Sequence, residues 1–226
     1  MKIAVLGTGI VGQSVAAKLS DLGHETTVGT RDPQATLART EPDGMGNPPF
    51  SAWHAEHPTV RLATFAEAAE QADLVVNATN GGVSIDVLNQ AGAPNLAGKV
   101  LLDIANPLDF SQGFPPSLFV KDTDSLAEQI QHAFPEVRVV KSLNTMTAAL
   151  MVDPARLAGG DHSTFVSGDD AAAKQIVVDL LTSMGHSDVI DLGDLSTARG
   201  TEMLLPIWVR LMGALGTPFF NFKIVR

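Results

Sequence analysis

The residues best placed to do chemistry are the glycines of Gly7-Thr8-Gly9-Ile10-Val11-Gly12. A G-x-G-x-x-G run binds phosphate with backbone rather than with side chains. Its first glycine permits a tight turn, its second lets the backbone approach a pyrophosphate, and its third lets helix and strand pack closely. The helix it opens offers unpaired N–H groups and a partial positive charge. The motif is weak in isolation. Here the apolar strand Lys2–Leu6 precedes it and an amphipathic helix, Ile10–Leu22, follows. That context favours a dinucleotide cradle over a glycine-rich turn without a ligand.

The next candidates follow the second strand, Glu25–Gly29, as Thr30-Arg31-Asp32-Pro33. An NAD site usually places a carboxylate there, to accept from the ribose 2′-hydroxyl. This chain offers a guanidinium that can bind a 2′-phosphate bidentately, with Thr30 able to add one more bond. Asp32 could turn inward and play the NAD role, but Asp followed by Pro is also a helix start, with Asp32 as N-cap and Pro33 at the first position. The residue chemistry favours NADP over NAD.

Three further segments reach the carboxyl ends of strands, where sheets of this kind hold their ligands. They are Thr79-Asn80-Gly81-Gly82, Ala105-Asn106-Pro107-Leu108 and Leu143-Asn144-Thr145-Met146. Ala78, Thr79, Asn80, Asn106 and Pro107 suit a nicotinamide ribose and carboxamide, although ordinary turn chemistry would use the same residue types. No acid–base constellation emerges. The six histidines are scattered without metal-ligand spacing,. Lys141 and Asn144 invite comparison with the Lys and Asn of β-hydroxyacid dehydrogenases, but that pair lies on a helix and Lys141 ends a Val-rich strand. No catalytic side chain and no metal are therefore expected.

Short apolar runs alternating with helical patterns must position these groups, which is the mark of βαβ units around a parallel sheet. Further strands are expected at Val60–Ala63, Leu74–Ala78, Val100–Ile104, Arg138–Lys141, Ser163–Ser167 and Asp188–Asp191, and helices at Phe65–Gln71, Ser84–Ala91, Ser125–Phe134, Ala171–Met184 and Met203–Leu215. The fold class is α/β: a Rossmann-type NAD(P)-binding parallel sheet over residues 1–142, then a small carboxy-terminal α/β lobe over 143–226. Glu41–Pro58 and Asn106–Asp122, rich in Pro, Gly and aromatic residues, fit no regular element. They read equally as lids or as packing for a neighbouring subunit.

Composition narrows the function further. A net charge of −10 repels nucleic acid and anionic lipid, so neither is an expected partner,. The chain has no cysteine, which removes disulfides, thiolate catalysis and iron–sulfur clusters, and no tyrosine to protonate a substrate,. Met1 leads directly into the first strand, so no signal peptide is expected, and Met203–Leu215 is too short to cross a bilayer,. A cytoplasmic setting follows, and Asn77-Ala78-Thr79 reads as a chance glycosylation pattern.

Taken together, these residues resemble the NADP oxidoreductases dependent on coenzyme F-420, a deazaflavin hydride carrier. The likeness covers essentially the whole chain. Besides the cradle and Gly29-Thr30-Arg31-Asp32-Pro33, it rests on Asp103-Ile104-Ala105-Asn106-Pro107-Leu108, Lys141-Ser142-Leu143-Asn144-Thr145-Met146, Asp191-Leu192-Gly193-Asp194, Thr197-Ala198-Arg199-Gly200 and Asn221-Phe222-Lys223. The resemblance implies hydride transfer between NADPH and the deazaflavin, stacked in a cleft. It implies that Thr8, Ile10, Val11, Thr30 and Arg31 hold NADP, and that Asn144, Thr145 and Met146, with Ser196, Thr197 and Arg199, border the second cofactor. Two alternatives stay open: an NADPH-dependent reductase of a flavin, quinone or imine, and a non-catalytic NADP-binding sensor. The helix over Met203–Leu215 is apolar around much of its circumference, so a homodimer is expected to cover it,. Cofactor choice is tested at Arg31. Arg31→Ala should weaken NADPH binding by roughly 2–4 kcal/mol and leave NADH nearly unaffected, whereas equal losses in titrations of both would show that Arg31 does not read the phosphate.

Overall fold

In the computed structural model, residues 1–42 and 46–226 are described. The chain runs β1 (Lys2–Leu6), α1 (Ile10–Asp21), β2 (Glu25–Thr30), α2 (Pro33–Ala38), α3 (Phe50–Glu56), β3 (Arg61–Thr64), α4 (Phe65–Gln71) and β4 (Leu74–Asn77). It continues through α5 (Ser84–Ala91), α6 (Ala93–Leu96), β5 (Val100–Asp103), β6 (Leu108–Asp109), β7 (Ser117–Leu118), α7 (Leu126–Ala133) and β8 (Arg138–Ser142). The last elements are α8 (Ala148–Val152), β9 (Ser163–Gly168), α9 (Ala171–Met184), β10 (Asp188–Asp191), α10 (Ala198–Met203) and α11 (Leu205–Leu215).

Eight strands form one sheet in the order β10-β9-β8-β5-β4-β1-β2-β3, parallel except where β9 meets β8. Strand order reverses between β1 and β4, which opens a crevice at their carboxyl ends,. Side chains of β1 alternate between two cores: Ile3 and Val5 join α1, α8 and α9, while Ala4 and Leu6 join α4, α5 and α7. Burial on both faces explains why the central strands read as continuous apolar runs. Beyond residue 142, β9 and β10 extend this same sheet at the β8 edge.

Two segments expected to lack regular structure contain it. Within Glu41–Pro58, Phe50–Glu56 is helical; Phe50 is buried, and the Trp53 ring stacks on His57 at 4.5 Å. Residues 43–45 lie outside the described residues. Pro48-Pro49 hid this short helix, although a proline just before a first turn is compatible with one,. Within Asn106–Asp122, β6 and β7 pair as a two-residue antiparallel ribbon, too short for alternation to show. The helix expected over Met203–Leu215 is also divided: α10 ends at Met203 and α11 starts at Leu205, because Pro206 sits in a first turn rather than interrupting a helix,.

The carboxyl ends of β5 and β8 are joined by an ion cluster with almost no solvent contact. Lys141 Nζ donates to Asp103 Oδ2 at 2.8 Å, lies 2.9 Å from Glu202 Oε1 and donates to the Ala105 carbonyl. All three ammonium hydrogens are thus placed. Burial opposes the charge on Lys141, but the carboxylates of Asp103 and Glu202 outweigh it and hold its pKa above the ordinary lysine value,. Glu202 also accepts from the Leu126 and Ala127 amides at 2.8 and 3.2 Å, closing the first turn of α7,. Asp103 accepts from Asn77 Nδ2 at 2.8 Å, which ties in β4. Asn77 is fully buried there, so the glycosylation pattern is chance.

Histidines anchor the carboxy-terminal half. His186 Nε2 donates to the Met151 carbonyl at 2.9 Å, and Thr164 Oγ1 donates to Nδ1 at 2.8 Å, a pattern that fits the neutral ring,. Burial lowers its pKa below the ordinary histidine value,. His162 bridges the Pro154 carbonyl to Asn221 of the tail.

Two outcomes are expected. Glu202→Ala leaves Lys141 buried with one carboxylate and α7 uncapped, and should cost about 3–5 kcal/mol in denaturant unfolding, with Glu202→Gln costing less. For His186, the folded protein refuses a proton that the unfolded chain accepts. Its stabilisation is therefore present above about pH 6.5 and lost as pH falls towards the lowered folded value. His186→Gln, which can reproduce both hydrogen bonds, should flatten the fall in melting temperature across that window.

Candidate functional site

The three cradle glycines meet different constraints. Gly7 has φ of +122°, and a Cβ there would lie 2.6 Å from the Ala78 carbonyl oxygen. A Cβ on Gly12 would lie 2.1 Å from the Gly7 carbonyl oxygen. Both are glycine because the turn, α1 and the β4 end pack backbone to backbone. Gly9 differs, since a Cβ there would meet nothing within 4 Å. Its bareness leaves open space above the first turn of α1, where Gly9 is the N-cap and no side chain caps the free amides,. A pyrophosphate fits that combination of clearance and donors.

At the end of β2 the candidates separate. Thr30 is buried and shares a 2.8 Å hydrogen bond with Thr36 Oγ1, so its hydroxyl is turned into the protein. Asp32 caps α2, accepting from the Ala35 amide at 2.9 Å. Arg31 is exposed, and no ion pair engages it among the described residues. The one cation at this strand end is the one still free to meet a phosphate.

From the start of α1 a cavity of about 810 Å³ runs between α1 and the α8 and α11 segments. Ile10, Val11, Ala78, Thr79, Asn80, Asn106, Asn144 and Met146 line its upper part, with no titratable side chain among them. Lys18 and Asp21 line it further along α1, and Trp53, Arg156 and Trp208 also contribute to its wall. The upper rim is held by a hydrogen-bond network. Thr79 Oγ1 donates to Asn77 Oδ1 at 2.6 Å and is 2.9 Å from Ser84 Oγ. Asn144 Nδ2 donates to Asn106 Oδ1 at 2.9 Å and to the Thr201 carbonyl at 3.0 Å, and Asn106 Nδ2 returns a bond to the Asn144 carbonyl at 2.9 Å. Leu143 takes a left-handed φ of 62° although its side chain is buried, an unfavourable conformation that turns the chain at the end of β8,.

The structure does not bring every expected residue here. Thr145 and Pro107 lie next to wall residues without lining the cavity. Ser196, Thr197 and Arg199 lie elsewhere. Ser196 faces a separate polar groove with Glu128 and Asp194, Thr197 bonds Ser167 Oγ at 2.7 Å, and Arg199 pairs bidentately with Glu128 at 2.9 and 2.5 Å. These residues secure α10 to α7 and β9 and do not line the cavity described above. Lys141 is likewise structural, satisfied within the ion cluster and absent from the cavity wall. Sequence reasoning missed Lys18, Arg156 and the pairing of Lys141 with Glu202, while Trp53 comes from the Glu41–Pro58 segment that read as a lid or as packing. The α1 stripe Ile10, Ser14, Ala17, Lys18, Asp21 follows helical spacing and was a usable signal,.

Comparison with known proteins places this geometry. Residues 2–107 match the NADP oxidoreductase, coenzyme F420-dependent family. The crystal structure of a candidate F420-dependent NADP-reductase from Arthrobacter sp. FB24 superposes with a TM-score of 0.96 over all of both chains, at 68% identity. The F420-dependent NADP reductase of Methanothermobacter marburgensis is 27% identical over 93% of this chain and 92% of its own length. Rat metalloreductase STEAP3 is 29% identical across this whole chain, which spans only 42% of that relative. With a cradle, a strand-end arginine and a 68% identical relative matched from end to end, the chain belongs to the coenzyme F420-dependent NADP oxidoreductase family.

Proposed function

We propose that this protein transfers a hydride between NADPH and a deazaflavin, coenzyme F-420. The observation that carries the reading is the cavity that continues directly from the phosphate cradle and has no titratable group around its upper part. Reduction of a carbonyl or imine calls for a proton donor at the reacting centre. Transfer between two stacked hydride carriers calls for proximity and orientation, which can contribute ~7–11 kcal/mol. Members of the matched family are oxidoreductases of NADP, and relatives are named as F420-dependent NADP reductases.

In this reading Gly7, Gly9, Gly12 and the first amides of α1 hold the pyrophosphate, with Thr8, Ile10 and Val11 around it. Arg31 takes the 2′-phosphate, while Thr30 supports the strand end from inside. Ala78, Thr79, Asn80 and Asn106, backed by Pro107, border the nicotinamide. Bound NADPH supplies the hydride, and the paired amides of Asn106 and Asn144 fix the rim against which both rings must stack. Met146 and Trp208 wall the acceptor side. The division at residue 142 then separates the cofactor-holding part from the part that borders the acceptor.

A homodimer belongs to the same proposal. Of α11 only Leu205 and Val209 are buried, while Ile207 and Leu215 are 47% and 57% exposed and Val225 of the tail 89%,. Among the described residues no helix is long and apolar enough to cross a membrane. A cytoplasmic location rests on the dissolved hydride carriers the reading requires.

The test is a purified-protein assay of NADPH oxidation with the deazaflavin, with flavin mononucleotide and with no acceptor. Rapid turnover is expected with the deazaflavin alone; turnover only with the flavin, or with neither, would overturn the reading. Sedimentation at micromolar concentration should give a dimer that Ile207→Glu splits, since Trp208 instead stacks on Phe220 within the chain.

A further inference from the structure

The run Asn77-Ala78-Thr79, at the end of β4, joins the cavity to the buried ion cluster through a chain of hydrogen bonds. Asp103 is surrounded by donors. Its Oδ2 takes the Lys141 ammonium at 2.8 Å, and its Oδ1 takes the Ala105 amide at 3.2 Å and Asn77 Nδ2 at 2.8 Å. A primary amide could be turned either way round, but the reverse would set the Asn77 oxygen against a carboxylate oxygen. The second amide hydrogen of Asn77 goes to Ser84 Oγ at 3.0 Å. Asn77 Oδ1 is therefore the atom that meets Thr79 Oγ1, at 2.6 Å. Two oxygens that close need a hydrogen between them, and only the threonine has one to give. Asn77, Ser84, Asp103 and Lys141 are all buried, so water does not offer the chain another arrangement.

The consequence falls on Thr79, which is half-buried and lines the upper cavity. Its one hydrogen is committed to Asn77, and a hydroxyl oxygen has two acceptor positions. Ser84 Oγ, 2.9 Å away, can fill one of them or donate instead to the Asn80 carbonyl at 3.3 Å. In both cases at least one position stays open, and Thr79 has no hydrogen left to donate. A hydroxyl in water plays either part; this one only accepts. Hydrogen bonds in series also polarise one another, which strengthens the oxygen as an acceptor. A ligand N–H is favoured beside it, and a ligand carboxylate oxygen is disfavoured. We infer that Asn77 is a positioning residue that locks Thr79 as an acceptor for the carboxamide amino group of the nicotinamide, so that the pocket selects a primary amide on the reacting ring and holds it one way round. This inference rests on the proposed placement of the nicotinamide beside Thr79 and is independent of which molecule accepts the hydride.

The experiment titrates the protein by calorimetry with NADP and with three analogues altered only at the pyridine substituent. The thionicotinamide form keeps the amino group, the acetylpyridine form replaces it with methyl, and the nicotinic acid form replaces it with a carboxylate oxygen. The wild type should bind NADP and the thionicotinamide form within about threefold of each other, the acetylpyridine form about fivefold more weakly and the acid form at least about tenfold more weakly. In Thr79→Val, which keeps the shape and removes the acceptor, the four affinities should converge, whereas Thr79→Ser should keep the wild-type order. In Asn77→Ala the Thr79 hydroxyl is free to turn and donate, so the acid form should gain on NADP by at least about threefold. A purely structural role for Asn77 predicts instead that all four weaken together. Adenosine 2′,5′-bisphosphate, which lacks the nicotinamide half, should bind each variant as it binds the wild type and so reports an intact fold. Asn77→Val, which keeps a strand-forming side chain, takes the place of Asn77→Ala if the latter does not fold. Equal affinity of the wild type for all four compounds, a wild-type order that survives in Thr79→Val, or uniform weakening in the Asn77 variant overturns the inference while the proposed hydride transfer stands. Failure to bind NADP at all would overturn both.

Discussion

One ammonium, that of Lys141, holds together the part of the molecule where chemistry can occur. Carrying it into the core has a cost of several kcal/mol before any partner is counted. Two carboxylates and a carbonyl offset that cost, Asp103 and Ala105 from the end of β5 and Glu202 from α10. Asp103 ends β5 and reaches β4 through Asn77; Glu202 lies in α10 and closes the first turn of α7. The cluster therefore fixes three strand ends and two helices relative to one another. A hydrophobic contact at this place would tolerate sliding, but a charged cluster with directional partners does not.

The rim of the cavity inherits that rigidity. Asn77 orients Thr79, and Asn106 pairs with Asn144 across the gap between the β5 and β8 ends. Hydride transfer between two ring systems depends steeply on distance and alignment. Around the upper cavity the lining residues are apolar groups, hydroxyls and amides, so what the fold supplies there is position. The fully bonded rim, the backbone-tight Gly7 and Gly12 contacts and the constrained turn at Leu143 all serve that end.

What the sequence made legible follows from how local each signal is. The cradle, the α2 cap at Asp32 and most strands and helices were readable because turn chemistry and apolar periodicity are encoded within a few neighbouring residues. The short helix Phe50–Glu56 and the ribbon of β6 and β7 were not, because neither is long enough to show a period. Lys141 attracted attention as a chemical residue, yet its partner Glu202 lies 61 positions away and nothing local pairs them. Arg199 is a second such case: its partner Glu128 lies 71 positions away, and no local signal joins the two.

The distribution of free charge completes the argument. Arg199, Lys141 and Lys174 are each bound to carboxylates within the fold. Among the described residues Arg31, Lys18 and Arg156 form no ion pair, and Arg31 stands beside the cradle at the end of β2. In an acidic protein the surrounding field repels anions, so binding at these points depends on local cations that no carboxylate has neutralised. Among the described residues the fold satisfies the buried Lys141 completely and leaves Arg31, at the end of β2, without an ion pair. The same ordering that makes Lys141 structural leaves the amides of the cradle without a side-chain cap and the guanidinium of Arg31 without an ion pair among the described residues.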